Sequence, residues 1–252
     1  MFSTRLNPTK PPAAHRAILE RVGAACRELR PVEDECCATG RMNTQAESIF
    51  QKYGVMTLGT PVEHGGIGAD ALLVVMAAER IGREGVRLVR WFGEHVGSHD
   101  PLQRFLCLAA GGIGVIADCL ETTASFCAEQ IKSVAADEPP SAIEHHVTLT
   151  ACDLEATRAI TYAAAELKSE LDRHPHSSHL QLEAGTLISE ALHVSLGAMS
   201  RMFDRAKSLA IAGTPLVDSL PPRHRLQGGV QLLGGDLAES LTKQIARFYL
   251  FE

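Results

Sequence analysis

The chain is poor in aromatic residues, which make up 5% of its 252 positions. It has no Cys-x-x-Cys pair and no block of Lys or Arg. Between Met1 and Pro12 there is no apolar stretch of signal-peptide length. Each absence excludes a class. Scarce Tyr, Trp and Phe beside abundant Ala and Leu argue against sheets and for helices. The seven cysteines are an odd number, and only Cys36 and Cys37 are close in sequence. Neither a disulfide framework nor a zinc knuckle is indicated, and reduced, buried thiols are expected. With 24 Lys+Arg against 30 Asp+Glu and a net charge of −6, the chain has no electrostatic footprint for nucleic acid. No window approaches the ~20 apolar residues of a membrane span, so a soluble, cytoplasmic protein without a membrane partner is expected. Against these absences stands an apolar fraction of 45%. That is enough for a real core in one large domain or two small ones, and it excludes disorder.

Helix starts punctuate the sequence. Thr44 with Glu47, Ser141 with Glu144 and Ser178 with Gln181 each place a hydroxyl three residues before Glu or Gln, the spacing that satisfies free amides at a helix N-terminus. Asp100 before Pro101 is a fourth start, since Pro is tolerated at the first helical position. These signals predict helices over 13–30, 44–53, 70–91, 101–133, 141–172, 178–212 and 236–250, and no strand. Apolar stripes run along the long ones, for example Ile143, Val147, Leu154, Ile160, Ala164, Leu167 and Leu171. Helices of roughly 45–50 Å need long neighbours. The segments from 101, 141, 178 and 236 are therefore expected to form a C-terminal four-helix bundle over 101–252, after a smaller helical part over 1–100.

Several segments carry a family resemblance. Tyr53-Gly54-Val55, then Gly59 through Gly68 (GTPVEHGGIG), then Ala78-Glu79-Arg80 resemble the N-terminal domain of acyl-CoA dehydrogenases. Leu108 through Gly114 (LAAGGIG) is similar to the family's first C-terminal helix. Leu154 through Arg158 (LEATR) with Thr161 through Ala165 (TYAAA) is similar to its second, and Gly234-Gly235-Asp236 through Arg247 to its closing stretch. The resemblance runs in order over most of the chain. It implies an all-α, acyl-CoA-dehydrogenase-like fold without the β-barrel domain that family members carry between their two helical parts. That barrel supplies much of the flavin site.

The resemblance also shows what is missing. Where the family has an Arg-x-x-Phe-Gly element that contacts flavin, this chain has Ala128 through Ser133. Gly234 stands at the family's usual catalytic Glu, and Gln103 and Arg104 stand at its alternative place. Desaturation needs a base at the α-carbon and a flavin at the β-carbon, so loss of both implies no bound cofactor, with FAD as the alternative reading. The leading expectation is non-redox chemistry on an acyl thioester, borne by coenzyme A or a carrier protein, or on a related apolar substrate. The cleft between the N-terminal helices and the bundle would hold it. The alternatives are a non-catalytic partner subunit of a full-length relative and a flavin-dependent oxidoreductase. Loss of the barrel implies apolar surface along the bundle and therefore a homo- or hetero-oligomer.

Glu94, His95, His99 and Asp100 crowd the junction where the barrel would stand. A histidine among carboxylates suits acid–base work near neutral pH, with His99 as proton shuttle and Asp100 orienting it; the structural alternative is a polar loop in which Asp100 caps the next helix. Arg80, Arg83, Arg87 and Arg90 fall on one helical face if the third helix is continuous, a stripe fit for phosphates. Its alternative is ordinary surface pairing with Glu84 and Glu94. Glu190 and His193 have di-iron spacing but no second copy. His174, His176 and His179 sit near a turn, and Arg223, His224 and Arg225 form a basic loop.

Overall fold

The structure is a computed structural model, and it describes residues 13–39, 43–84, 86–96, 100–134 and 141–211. Within these lie α1 (Ala13–Thr39), α2 (Thr44–Lys52), α3 (Ala71–Gly82), α4 (Val86–Val96), α5 (Pro101–Val134), α6 (Ser141–Arg173) and α7 (Ser178–Ile211). A single 3-10 turn spans Val62–His64, and among the described residues there is no strand. The fold class is all-α, as the composition implies.

Helix boundaries follow the sequence signals, with instructive shifts. Asp100 caps α5 as expected, its Oδ1 accepting from the amides of Leu102 and Gln103 at 3.0 and 3.2 Å. At α2 the cap is Asn43 rather than Thr44, its Oδ1 accepting from Ala46 at 2.8 Å. At α7 it is Ser177 rather than Ser178, accepting from Leu180 at 3.3 Å. In both cases an adjacent polar residue was better placed to reach the third amide inside the helix. The Ser141 side chain and the expected 236–250 helix lie outside the described residues.

The largest correction concerns 70–91. A turn after Gly82 ends α3 and a separate α4 begins at Val86. Asp70 opens α3 by accepting from the Leu73 amide at 2.8 Å. Two glycines, Gly82 and Gly85, stand where the long helix was expected to continue, and glycine is the weakest non-proline helix former.

Helices α5, α6 and α7 pack on one another in succession, and α3 lies against both α5 and α6. One cluster of buried apolar side chains, from Val22 through Phe50, Val75, Phe92, Ile113 and Ile116 to Leu192 and Met202, runs continuously across position 100. The short segment Ala109 to Gly114 allows this. A Cβ on Gly114 would stand 2.2 Å from the Glu79 carbonyl oxygen, and one on Gly82 2.4 Å from that of Gly111. The α3 and α5 backbones therefore meet without side chains between them. On the opposite side, Ser195 of α7 donates to the Ala109 carbonyl at 2.9 Å in a fully buried contact.

The hydropathy of α5 differs from the sequence reading. The stretch Pro101–Ser125 is long and apolar enough to cross a membrane by length and composition, contrary to the sequence reading, but most of it is buried as the central helix of the core. Among the described residues the exposed large apolar side chains are Val62 and Leu149. The apolar strip expected from loss of a barrel is absent from that set, because α3, α4, α6 and α7 surround α5.

Candidate functional site

The junction of α4 with α5 holds the nominated acid–base residues, and it separates their roles. Only residues 97–100 lie between Val96, the end of α4, and Pro101, the start of α5. His99 falls outside the described residues. Glu94 accepts from Arg90 at 2.9 Å and from Arg104 at 3.3 Å. Asp100 spends one oxygen on the helix cap and the other on Lys168 Nζ at 2.7 Å. Both carboxylates are paired with cations, and the contact expected between Asp100 and His99 lies outside the described residues. His95 is exposed and stacks on Trp91, ring centroids 5.4 Å apart, and Trp91 stacks on Phe50 at 5.2 Å. This three-ring ladder anchors α4 to α2.

Lys168 went unnoticed in the sequence. Its side chain is 3% exposed and is shared between Asp100 and Asp172. Burial disfavours its charge, but the two carboxylates outweigh that and hold its pKa above the ordinary value. The signal available in the sequence was its register: Lys168 falls four residues after Ala164 and three before Leu171, in the middle of the buried face.

The arginine stripe does not exist as a single face, because α3 ends before Arg83. Arg83 pairs with Glu121 of α5 at 2.8 Å, and Arg90 pairs with Glu94. Glu84, expected opposite Arg80, instead takes Arg30 of α1 at 3.1 Å. Arg80 is exposed and lies against Gly23, and the side chain of Arg87 is outside the described residues. Gln103 is buried, its amide directed at the Cys107 sulfur at 3.8 Å, and burial pushes the Cys107 thiol up to about 12.

The strongest polar constellation joins α3 to α6. Arg158 Nη2 donates to Glu79 Oε1 at 2.8 Å, and Tyr162 Oη donates to Glu79 Oε2 at 2.8 Å. Glu155 takes the other Arg158 terminus. Glu79 and Arg158 are both buried. Burial opposes the Arg158 charge, yet the Glu79 contact raises its pKa; burial and the Glu79 charge together push the Tyr162 phenol upward. These residues come from three of the segments that carried the family resemblance, and nothing in their linear order pairs them.

A second polar group lies between α6 and α7. Asp153 accepts from Arg201 at 2.8 Å and from Arg205 at 2.7 Å, and Arg205 also reaches Thr150 at 3.4 Å. Burial works against the Asp153 charge, but the two guanidiniums lower its pKa. The remaining nominated groups are dispersed. Glu190 and His193 face solvent, with His193 Nδ1 against the Ser189 carbonyl at 2.8 Å. His174, His176 and His179 are exposed, and His179 pairs with Glu183 at 3.4 Å. Among the described residues no cluster of three or more His, Cys, Asp or Glu is placed to hold a metal. Arg223, His224 and Arg225 lie outside them, as do Ala128 through Ser133 in their side chains and Gly234.

Residues 12–105 match the family acyl-CoA dehydrogenase, N-terminal domain. Over that span the chain is similar to the N-terminal domain of acyl-CoA dehydrogenases, which supports a relationship to that family. The matched span covers α1 to α4 and the first residues of α5. It therefore includes the α3 half of the Glu79–Arg158 contact and the short α4–α5 junction. No curated protein matches the chain.

Proposed function

We propose that this acyl-CoA-dehydrogenase-like protein acts on an acyl thioester or related apolar substrate by non-redox chemistry, in a specialised biosynthetic pathway of the cytoplasm, without binding flavin in the ordinary way. The observation that carries this reading is the passage from α4 to α5 through residues 97–100 alone. Four residues leave no room for a barrel between the two helical parts. The small-residue stretch of α5 offers no open cradle instead, since α3 and α7 close on Gly112 and Gly114. That packing supports the reading without flavin, because no cradle opens there among the described residues.

The same contact closes the α3–α5 seam, so the substrate is assigned to the outer face at α4. There Arg90 and Arg104 stand against a single carboxylate, Glu94, beside the exposed His95. The surplus positive charge suits the phosphates of a coenzyme A or carrier-protein thioester. An absorbance scan of the purified protein tests the reading: no flavin bands are expected, and stoichiometric flavin overturns it.

A second reading, a non-catalytic partner of a full-length relative, is favoured by a different observation. Glu79, Glu94, Asp100 and Asp153 are all already paired with cations, which leaves none of them free as a general base. Co-purification with a full-length dehydrogenase-type chain supports it. A homo-oligomer that turns over an acyl thioester by itself supports the first reading.

A further inference from the structure

The buried face of α6 is more polar than its sequence stripe implies. His146, Thr150, Thr157, Thr161 and Lys168 are all buried, while Val147, Ile160 and Leu167 are only half-buried at its flanks. Thr150, Thr157 and Lys168 have hydrogen-bond partners. His146 does not: it is 2% exposed, and neither ring nitrogen has a partner. A neutral imidazole carries one donor and one acceptor, and leaving both unmade in an interior is costly enough to be rare. Arg205 of α7 contacts Thr150, one turn along α6 from His146, and is itself only partly satisfied. Its Nη2 serves Thr150 and Asp153, but its Nε is buried without a partner.

Arg201 and Arg205 converge on the single carboxylate of Asp153. From α5, Cys119 is fully buried and its thiol is pushed up to about 12 by burial, so it adds no charge at neutral pH; Asp118 beside it is half-buried. From α7, Asp204 is exposed. The Arg205 charge reaches His146 and, after burial, is what keeps its pKa low, at about 4.

We propose that His146 and Arg205 form a buried oxyanion site between α6 and α7, which takes the carboxylate or phosphate group of a small ligand. The imidazole N–H and the Arg205 Nε–H donate to the anion, whose charge is complementary to the Arg205 guanidinium. Favouring protonated His146 follows from the same contact, because an adjacent negative charge opposes both burial and Arg205. This site is separate from the α4 face and does not depend on the reading given for it.

The test is a pH titration of the ring signals of isotopically labelled histidine by NMR, in chloride, acetate and phosphate at equal ionic strength, with His146→Gln to assign the resonance. The His146 midpoint is expected to rise by about one unit or more in acetate or phosphate relative to chloride. Which anion acts distinguishes a carboxylate ligand from a phosphate one. Thermal melting should show a rise with the same anion, and His146→Leu should weaken that response about tenfold or more. A midpoint unchanged among the three salts overturns the proposal, as does a His146→Leu variant that keeps the full response. Where His146→Leu does not fold, the titration of the unmodified protein decides.

Discussion

Arg158 and Glu79, 79 residues apart in sequence, meet through a 2.8 Å hydrogen bond between two buried side chains. The contact joins the matched N-terminal domain to the second long helix of the bundle, and Tyr162 completes it. A buried pair of this kind adds little over an apolar pair of similar volume, but breaking it by half is costly. Arg158→Leu should therefore destabilise the protein by about 3–5 kcal/mol. Adding Glu79→Leu to it should recover much of that loss. Urea denaturation of the two single variants and the double variant checks this, and a double variant no better than Arg158→Leu contradicts it.

Glycine positions in the helices separate close approach from mere flexibility. Gly114→Ala puts a methyl group 2.2 Å from a backbone oxygen of α3, and overpacking of that kind should cost about 1–3 kcal/mol or more. Gly185 in α7 has nothing within 4 Å of its would-be Cβ. Gly185→Ala should raise stability by roughly 0.5–1 kcal/mol through helix propensity. Paired thermal melts of the two variants give opposite signs if the α3–α5 contact is as described.

Asp100 has two separable functions. Asp100→Asn keeps an oxygen for the Leu102 and Gln103 amides but removes the charge facing Lys168. Asp100→Ala removes both, and the cap alone should add about 1 kcal/mol of destabilisation beyond the Asn variant. Equal losses for Asn and Ala in chemical denaturation would mean that the ion pair, not the cap, holds the α4–α5 junction.

Acid should weaken the α6–α7 end first. His146 has a folded pKa of about 4, depressed by burial and then by Arg205, against an ordinary value of 6.5. Above the ordinary value both folded and unfolded chains hold it neutral, and its contribution to stability is intact. As pH falls from there toward the folded value, the unfolded chain takes up a proton that the folded one refuses, so stability is lost, on the order of 2–3 kcal/mol in all. The Asp153 contribution, with its lowered pKa, is lost only further into acid. His146→Gln should flatten the stability profile between about pH 6.5 and 4. A profile unchanged by the substitution would place the acid sensitivity elsewhere.

By itself the sequence determined that the chain is helical and where most helices run. Capping residues and apolar periodicity are local, and Asp100 could be read as a cap without knowing what lay nearby. It also carried the acyl-CoA dehydrogenase likeness of the N-terminal part, through the loop from Gly59 to Gly68 and the helix that follows. The break after Gly82 was only half visible, since two glycines weaken a helix without dictating where it turns. What tertiary structure alone decided is which charges are spent. Of the apolar stripe on α6, Leu154, Ala164 and Leu171 are buried and Val147, Ile160 and Leu167 are half-buried, yet the packed face also takes in His146, Thr157, Arg158 and Lys168. Those side chains are tolerated inside because partners from distant segments meet most of them: Glu79 from α3, Asp100 from the α5 cap and, at the α7 end, Arg205 beside Thr150 and Asp153. Periodicity reports which face is apolar on average. Burial of a charge depends on a partner many residues away, and only the folded chain brings that partner into reach.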